Sequence, residues 1–155
     1  MVLSEKLNPL SIIVNAEARS RWDIIKEMVS FGVANSLIPQ GAGDDITKAL
    51  IEREKSMSTG IGKGVAIPHC TVANVDDIII LMATNEKGIN FDSIDSLPVR
   101  IVIMLLVPKA KLTQHIKTLA NIAKVMSDDE FKEKLLSFAK PDEILSFIKS
   151  YESGK

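Results

Sequence analysis

The sequence predicts an α/β layered domain, on three observations. Short β-branched and aliphatic runs alternate with helix-period stripes, the strongest of these runs is Val99 to Val107, and the last third is helical throughout. At 155 residues with no internal repeat, low-complexity tract or linker, one domain spanning 1–155 is expected.

Taken in order, Ser11-Ile12-Ile13-Val14 reads as a short strand. Ser20 can cap a helix carrying Trp22, Ile25, Val29 and Val33 and ending near Asn35. Pro39 to Gly43 is a loop, after which Asp44 or Asp45 caps a second helix with Ile46, Ala49, Leu50, Arg53 and Met57 on one stripe. Ile78 to Ala83 is a strand, and Gly88 to Asp95 a turn-rich excursion in which Ile89, Phe91 and Ile94 are expected to pack down. Val99 to Val107 suits a central strand covered on both faces. Three helices follow. The first is capped by Thr113 and carries Ile116, Leu119, Ala120, Ala123 and Met126. The second opens at Ser127 or Asp128, and the third starts at Pro141 with Ile144, Leu145 and Ile148 inward. Residues 152–155 read as a frayed tail.

Composition narrows the function. A net charge of −1 offers no electrostatic footprint for nucleic acid or an anionic membrane. One cysteine leaves no internal disulfide and fits a reducing cytoplasm, no signal peptide is visible, and the longest apolar run is too short to span a bilayer. A soluble cytoplasmic domain, standing alone without a fused transporter, is expected.

The chemistry concentrates between Arg53 and His69. Gly60-Ile61-Gly62-Lys63-Gly64 has neither P-loop spacing nor the helix that follows a dinucleotide fingerprint, since Val65-Ala66-Ile67-Pro68 reads as extended chain. The glycines therefore mark either tight turns or a backbone that approaches a small anion or a partner. His69, one of two histidines, follows a rigidifying proline and admits four readings: nucleophile, general base, metal ligand or packed core residue. In an extended chain Cys70 diverges from it, and His115 alone completes no ligand cluster, so no metal is expected. His115 lies in the first turn of its helix, where the dipole opposes imidazole protonation and attracts phosphate. Arg53 continues a buried stripe and needs an anion there. Two imidazoles, an arginine and a glycine loop are the parts of a phosphoryl site.

Arg53-Glu54-Lys55…Ser58-Thr59-Gly60-Ile61-Gly62-Lys63-Gly64-Val65-Ala66-Ile67-Pro68-His69 closely resembles the active-site motif of type-2 enzyme IIA domains, the fructose, mannitol and nitrogen-regulatory IIA proteins of the bacterial phosphoenolpyruvate phosphotransferase system. The resemblance extends to Phe91-Asp92-Ser93-Ile94-Asp95…Pro98-Val99, to Leu105-Leu106-Val107-Pro108, and to His115 with Leu119-Ala120. It implies a mixed β-sheet flanked by helices on both sides, in accord with the pattern above. It also implies that His69 accepts a phosphoryl group from an HPr-type phosphocarrier and, in the sugar branches, hands it to a cysteine of a IIB domain. His115 then contacts the phosphate, with Arg53 nearby, and neither metal nor organic cofactor is expected. Thr59, Gly60 and Gly62 are expected to add hydrogen bonds to the phosphate.

The Phe91–Asp95 segment and the expected free-standing length favour a nitrogen-regulatory protein whose phosphorylation controls binding to a regulatory target. A sugar-transport component is the alternative. A binding module that has lost phosphotransfer is disfavoured by the joint presence of Arg53, His69 and His115. Ile61 and Val65 are candidates for a docking rim, and equally for core. Cys70 and Met57 read as packing residues, and Asp128-Asp129-Glu130 as favourable charge at a helix start.

Overall fold

The apolar run from Val99 is the central strand, continuing to Pro108 and paired along both edges. The computed structural model describes residues 3–73 and 75–154. Its elements run β1 (Ile12–Ile13), α1 (Arg21–Ala34), α2 (Gly43–Ser56), β2 (Gly60–Gly62), β3 (Val65–Ala66), β4 (His69–Val72), β5 (Ile79–Ile89), β6 (Val99–Pro108), α3 (Leu112–Val125), α4 (Asp129–Leu136) and α5 (Pro141–Ser153). The sheet is mixed and open, in the order β1-β5-β6-β3-β2, with β4 also against β6. β5 and β6 are antiparallel, as are β2 and β3; β1 runs parallel to β5, and β3 and β4 run parallel to β6.

Strand alternation divides the core. Ile101, Ile103, Leu105 and Val107 of β6 face α3, α4 and α5, where Ile122, Phe131, Leu135, Ile144 and Ile148 close over them. Val102, Met104 and Leu106 face the opposite way, against Ile24, Ile25 and Met28 of α1 and Ile46 and Leu50 of α2. The same parity acts on β4. Cys70 and Val72 belong to the α1/α2 core, so His69, opposite Leu105, points to the α3–α5 side.

β3 and β4 are one extended line interrupted at Ile67-Pro68. Proline has no N–H to donate, but its carbonyl accepts from Leu105 N–H (3.0 Å), which keeps the line beside β6.

Local signals held where they were strongest. Ser20 caps α1 by accepting from Asp23 N–H, Asp128 caps α4 by accepting from Phe131 N–H, and Pro141 is the first residue of α5. Five expectations need correction. α2 begins at Gly43 behind an Ala42 without a side-chain cap, so Asp44 and Asp45 sit in its first turn. α3 likewise begins at Leu112 rather than after Thr113. Ile94 is 90% exposed on its turn, although Ile89 and Phe91 are buried. Ile116 is 58% exposed because α3 turns His115, Thr118 and Ile122 inward instead. The expected frayed tail is helical through Ser153, and the Glu152 carboxylate accepts from Leu3 N–H (2.7 Å) and Ser4 N–H (3.0 Å). Lys155 lies outside the described residues. Among the described residues no helix is long and apolar enough to cross a membrane.

Candidate functional site

The glycine stretch folds as a β-hairpin. Lys63 and Gly64, both at positive φ (56° and 81°), form the two-residue turn between β2 and β3. Two contacts grip that turn. Lys63 N–H donates to Asp95 Oδ2 (2.7 Å), and the Lys63 carbonyl accepts from the buried ammonium of Lys132 on α4 (2.7 Å). The hairpin also lies close against the Phe91–Asp95 segment. A Cβ on Gly60 would stand 2.2 Å from Ser93 Oγ and 3.1 Å from Phe91 Cβ. Of the two meanings left open for these glycines, the tight turn is seen at Lys63-Gly64, and the close approach at Gly60 is to the protein's own Phe91 and Ser93.

At the far end of the hairpin's second strand stands His69, half-buried. Its Nδ1 is 2.9 Å from the Ile67 carbonyl oxygen. A carbonyl only accepts, so the neutral ring carries its proton on Nδ1, and the lone pair sits on Nε2. Cys70 points into the opposite core, where burial pushes its thiol up to about 11. It is a packed small residue, and it shares no site with its neighbour.

Arg53 does not continue a buried stripe. α2 stops at Ser56 and Met57 turns into extended, solvent-exposed chain, so Arg53 bends back to donate to the Met57 carbonyl (2.9 Å). Its guanidinium thus satisfies a carbonyl at the end of its own helix. Thr59 is buried, and its N–H (3.0 Å to Oε2) and hydroxyl (to Oε1) both donate to Glu54. Gly60 N–H donates to Ser58 Oγ (3.0 Å), and Gly62 pairs with Val65 across the hairpin. These groups, expected as phosphate donors, have partners inside the protein.

Glu54 is the residue that sequence reasoning missed. It is 1% exposed, and Arg21 Nη1 completes its set of donors at 3.3 Å. Arg21 also reaches the Phe91 carbonyl and lies 4.3 Å over the Trp22 ring. Three donor groups therefore converge on this one buried acid.

His115 occupies the first turn of α3, on the same face of the sheet as His69. Its Nδ1 lies 3.2 Å from Thr118 Oγ1, and its Nε2 is buried with no hydrogen-bond partner among the described residues. Burial holds its pKa below the usual imidazole value. Nearby Asp77 acts against that shift, whereas Lys111 and Lys6 add to it. Asp77 itself bridges the two lysines, at 2.6 Å from Lys6 Nζ and 3.8 Å from Lys111 Nζ. Among the described residues, the hydrogen bonds of His69, His115 and Arg53 go to separate partners, none of them to one another.

Leu112 and Ile116, one helical turn apart on α3 and flanking His115 in sequence, are exposed; elsewhere Ile61 of the hairpin and Met57 are exposed too. Val65 is fully buried, so of the two rim candidates only Ile61 is at the surface. Clefts of about 410 Å³ beside Gln40, Asp45 and Thr71 and about 650 Å³ beside Asn15, Asn85 and Lys87 include neither histidine.

Comparison with known proteins bears on the family and the fold. The family model described as "Phosphoenolpyruvate-dependent sugar phosphotransferase system, EIIA 2" matches residues 5–151. A nitrogen regulatory protein of Klebsiella oxytoca is 34% identical over 154 residues, covering 96% of this chain and 94% of that one. The fructose-specific EIIABC component of Bacillus subtilis is 28% identical over 153 residues, 98% of this chain but only 24% of that longer protein. The crystal structure of the nitrogen regulatory protein IIA-Ntr from Neisseria meningitidis superposes with a TM-score of 0.85 at 27% identity, covering 96% of this chain and 99% of that one.

Proposed function

The chain belongs to the EIIA 2 family of the phosphoenolpyruvate-dependent sugar phosphotransferase system, and from that premise we propose that it is a phosphohistidine relay whose acceptor is Nε2 of His69. One observation carries the reading. The Ile67 carbonyl holds the Nδ1 proton, which leaves a neutral nucleophilic nitrogen free on a half-exposed ring. The donor is an HPr-type phosphocarrier carrying its own phosphohistidine. Nε2 attacks phosphorus, and the bond to the donor nitrogen breaks with its electron pair returning to the donor ring. Each ring keeps the proton on its other nitrogen, so no proton crosses. The phosphorylated His69 ring then bears a positive charge that the Ile67 carbonyl dipole stabilises.

Such a transfer needs positioning and charge stabilisation more than covalent help from the protein. His115 Nε2, a buried imidazole nitrogen with no partner among the described residues, is a group able to meet a phosphoryl oxygen. Arg53 reaches the phosphate by releasing the Met57 carbonyl when a partner docks. Thr59, Gly60 and Gly62 act by holding the hairpin. The exposed apolar residues Ile61, Leu112 and Ile116 form the docking rim.

We place the protein in the cytoplasm as a nitrogen-regulatory-type IIA protein whose phosphorylation state governs a regulatory target. The end-to-end match to a nitrogen regulatory protein supports this branch. The fructose- or mannitol-type alternative, passing the group to a IIB cysteine, is favoured by the match to a fructose-specific component. Incubation with phosphorylated carrier is expected to put one acid-labile, base-stable phosphate on the protein. His69→Ala is expected to remove it, and undiminished labelling of that variant sinks the assignment. Rapid onward transfer to a IIB cysteine would decide for transport.

A further inference from the structure

We propose that Glu54 is a positioning residue for His69, acting through Thr59 and Ile67 to fix which imidazole nitrogen is free. The inference rests on the reading of His69 as the phosphoryl acceptor, and its geometry is a continuous chain of hydrogen bonds. The Glu54 carboxylate grips both the N–H and the hydroxyl of Thr59. The Thr59 carbonyl accepts from Ile67 N–H (3.0 Å). The Ile67 carbonyl in turn takes the proton of His69 Nδ1 (2.9 Å).

Each link constrains the next. In an extended residue the N–H and C=O point toward the same edge, so fixing Ile67 N–H on Thr59 aims the Ile67 carbonyl along that edge toward the ring. Pro68 confines Ile67 to extended backbone, which removes the rotation that would swing this carbonyl away. On the other edge of the same line, Leu105 N–H holds the Pro68 carbonyl. The remaining freedom lies in Thr59, and the buried acid takes it up. Glu54 is 1% exposed on the far side of the sheet from the imidazole, where a carboxylate is costly to hold unless its donors converge. A packed apolar residue would fill the same space without the three donors.

The test uses the full chain with ¹⁵N-labelled histidine. In the wild type, the nitrogen shifts of neutral His69 are expected to report the Nδ1–H tautomer as dominant. A dominant Nε2–H tautomer overturns the proposal without any variant. Glu54→Gln and Thr59→Val are expected to mix the tautomers and slow single-turnover phosphorylation by carrier about 10-fold, with carrier affinity changed less than twofold. Thr59→Ser, which keeps the hydroxyl, is expected to restore both. Should folded Glu54→Gln and Thr59→Val keep the wild-type tautomer and rate, Glu54 is only a stabilising group and the proposal fails. If wild-type His69 takes no phosphate at all, the relay reading fails, and the tautomer measurements still judge Glu54 separately.

Discussion

The two histidines sit on the same side of one sheet in opposite circumstances. Around His69 the backbone is held on every side: Thr59 on Glu54, Ile67 on Thr59, Pro68 on Leu105, the ring on Ile67. Around His115 the structure leaves groups unmatched. α3 starts without a side-chain cap, Leu112 and Ile116 stand in solvent, and a buried imidazole nitrogen has no partner among the described residues. The difference separates two tasks. A nucleophile profits from being aimed before the reaction, whereas a group that receives charge needs a free valence when the charge arrives.

Several measurements would break or sharpen that contrast, beginning with the largest effect. If the free nitrogen of His115 serves the phosphate, His115→Ala slows single-turnover acceptance by about 100-fold while His69 remains the labelled residue. An unchanged rate would remove His115 from the site. The held side is expected to be intolerant of added bulk. Gly60→Ala, pressing its methyl on Ser93 and Phe91, costs about 2 kcal/mol in urea unfolding, and a loss under 0.5 kcal/mol would show that the hairpin yields. Cys70 marks how narrow the reactive region is. Cys70→Ala should cost about 1 kcal/mol of stability and leave phosphorylation unchanged, and at pH 8 only about one native thiol in a thousand is ionised, so alkylation is slow.

The smallest effect is a pH slope. Burial depresses the His115 pKa, so in the range just below the unfolded value of about 6.5 the unfolded chain binds more protons than the native one. Stability therefore falls as pH drops through about 6.5, and the fall levels off below the native pKa. His115→Gln should remove this part of the slope, and an identical slope in the variant would assign it elsewhere.

How much of this was legible in the sequence depends on how local each signal is. The caps at Ser20 and Asp128 and the alternation of β6 are settled by near neighbours, and they stood. Ile94 and Ile116 misled because periodicity equates apolar with buried, which fails where apolar residues face outward. Lys63-Gly64 carried a readable hairpin sign, a two-residue turn with glycine second, but flanking glycines masked β2 as loop. Glu54 was invisible for a deeper reason. A glutamate late in a polar helix reads as exposed, and only the return of the chain through Thr59 and the approach of Arg21 from α1 make a buried place for it. His69 was singled out by its proline and its motif, whereas nothing in the spacing could have set His115 on the same face of the sheet.

The Glu152 carboxylate, closed on the amides of Leu3 and Ser4, has a consequence for how the module can be built into larger chains. The Leu3-Ser4 turn and the last turn of α5 lie side by side at one corner, remote in sequence but already joined. A host loop could receive the unit there as a plug-in cassette, or the ends could be spliced and reopened elsewhere, at little closure entropy.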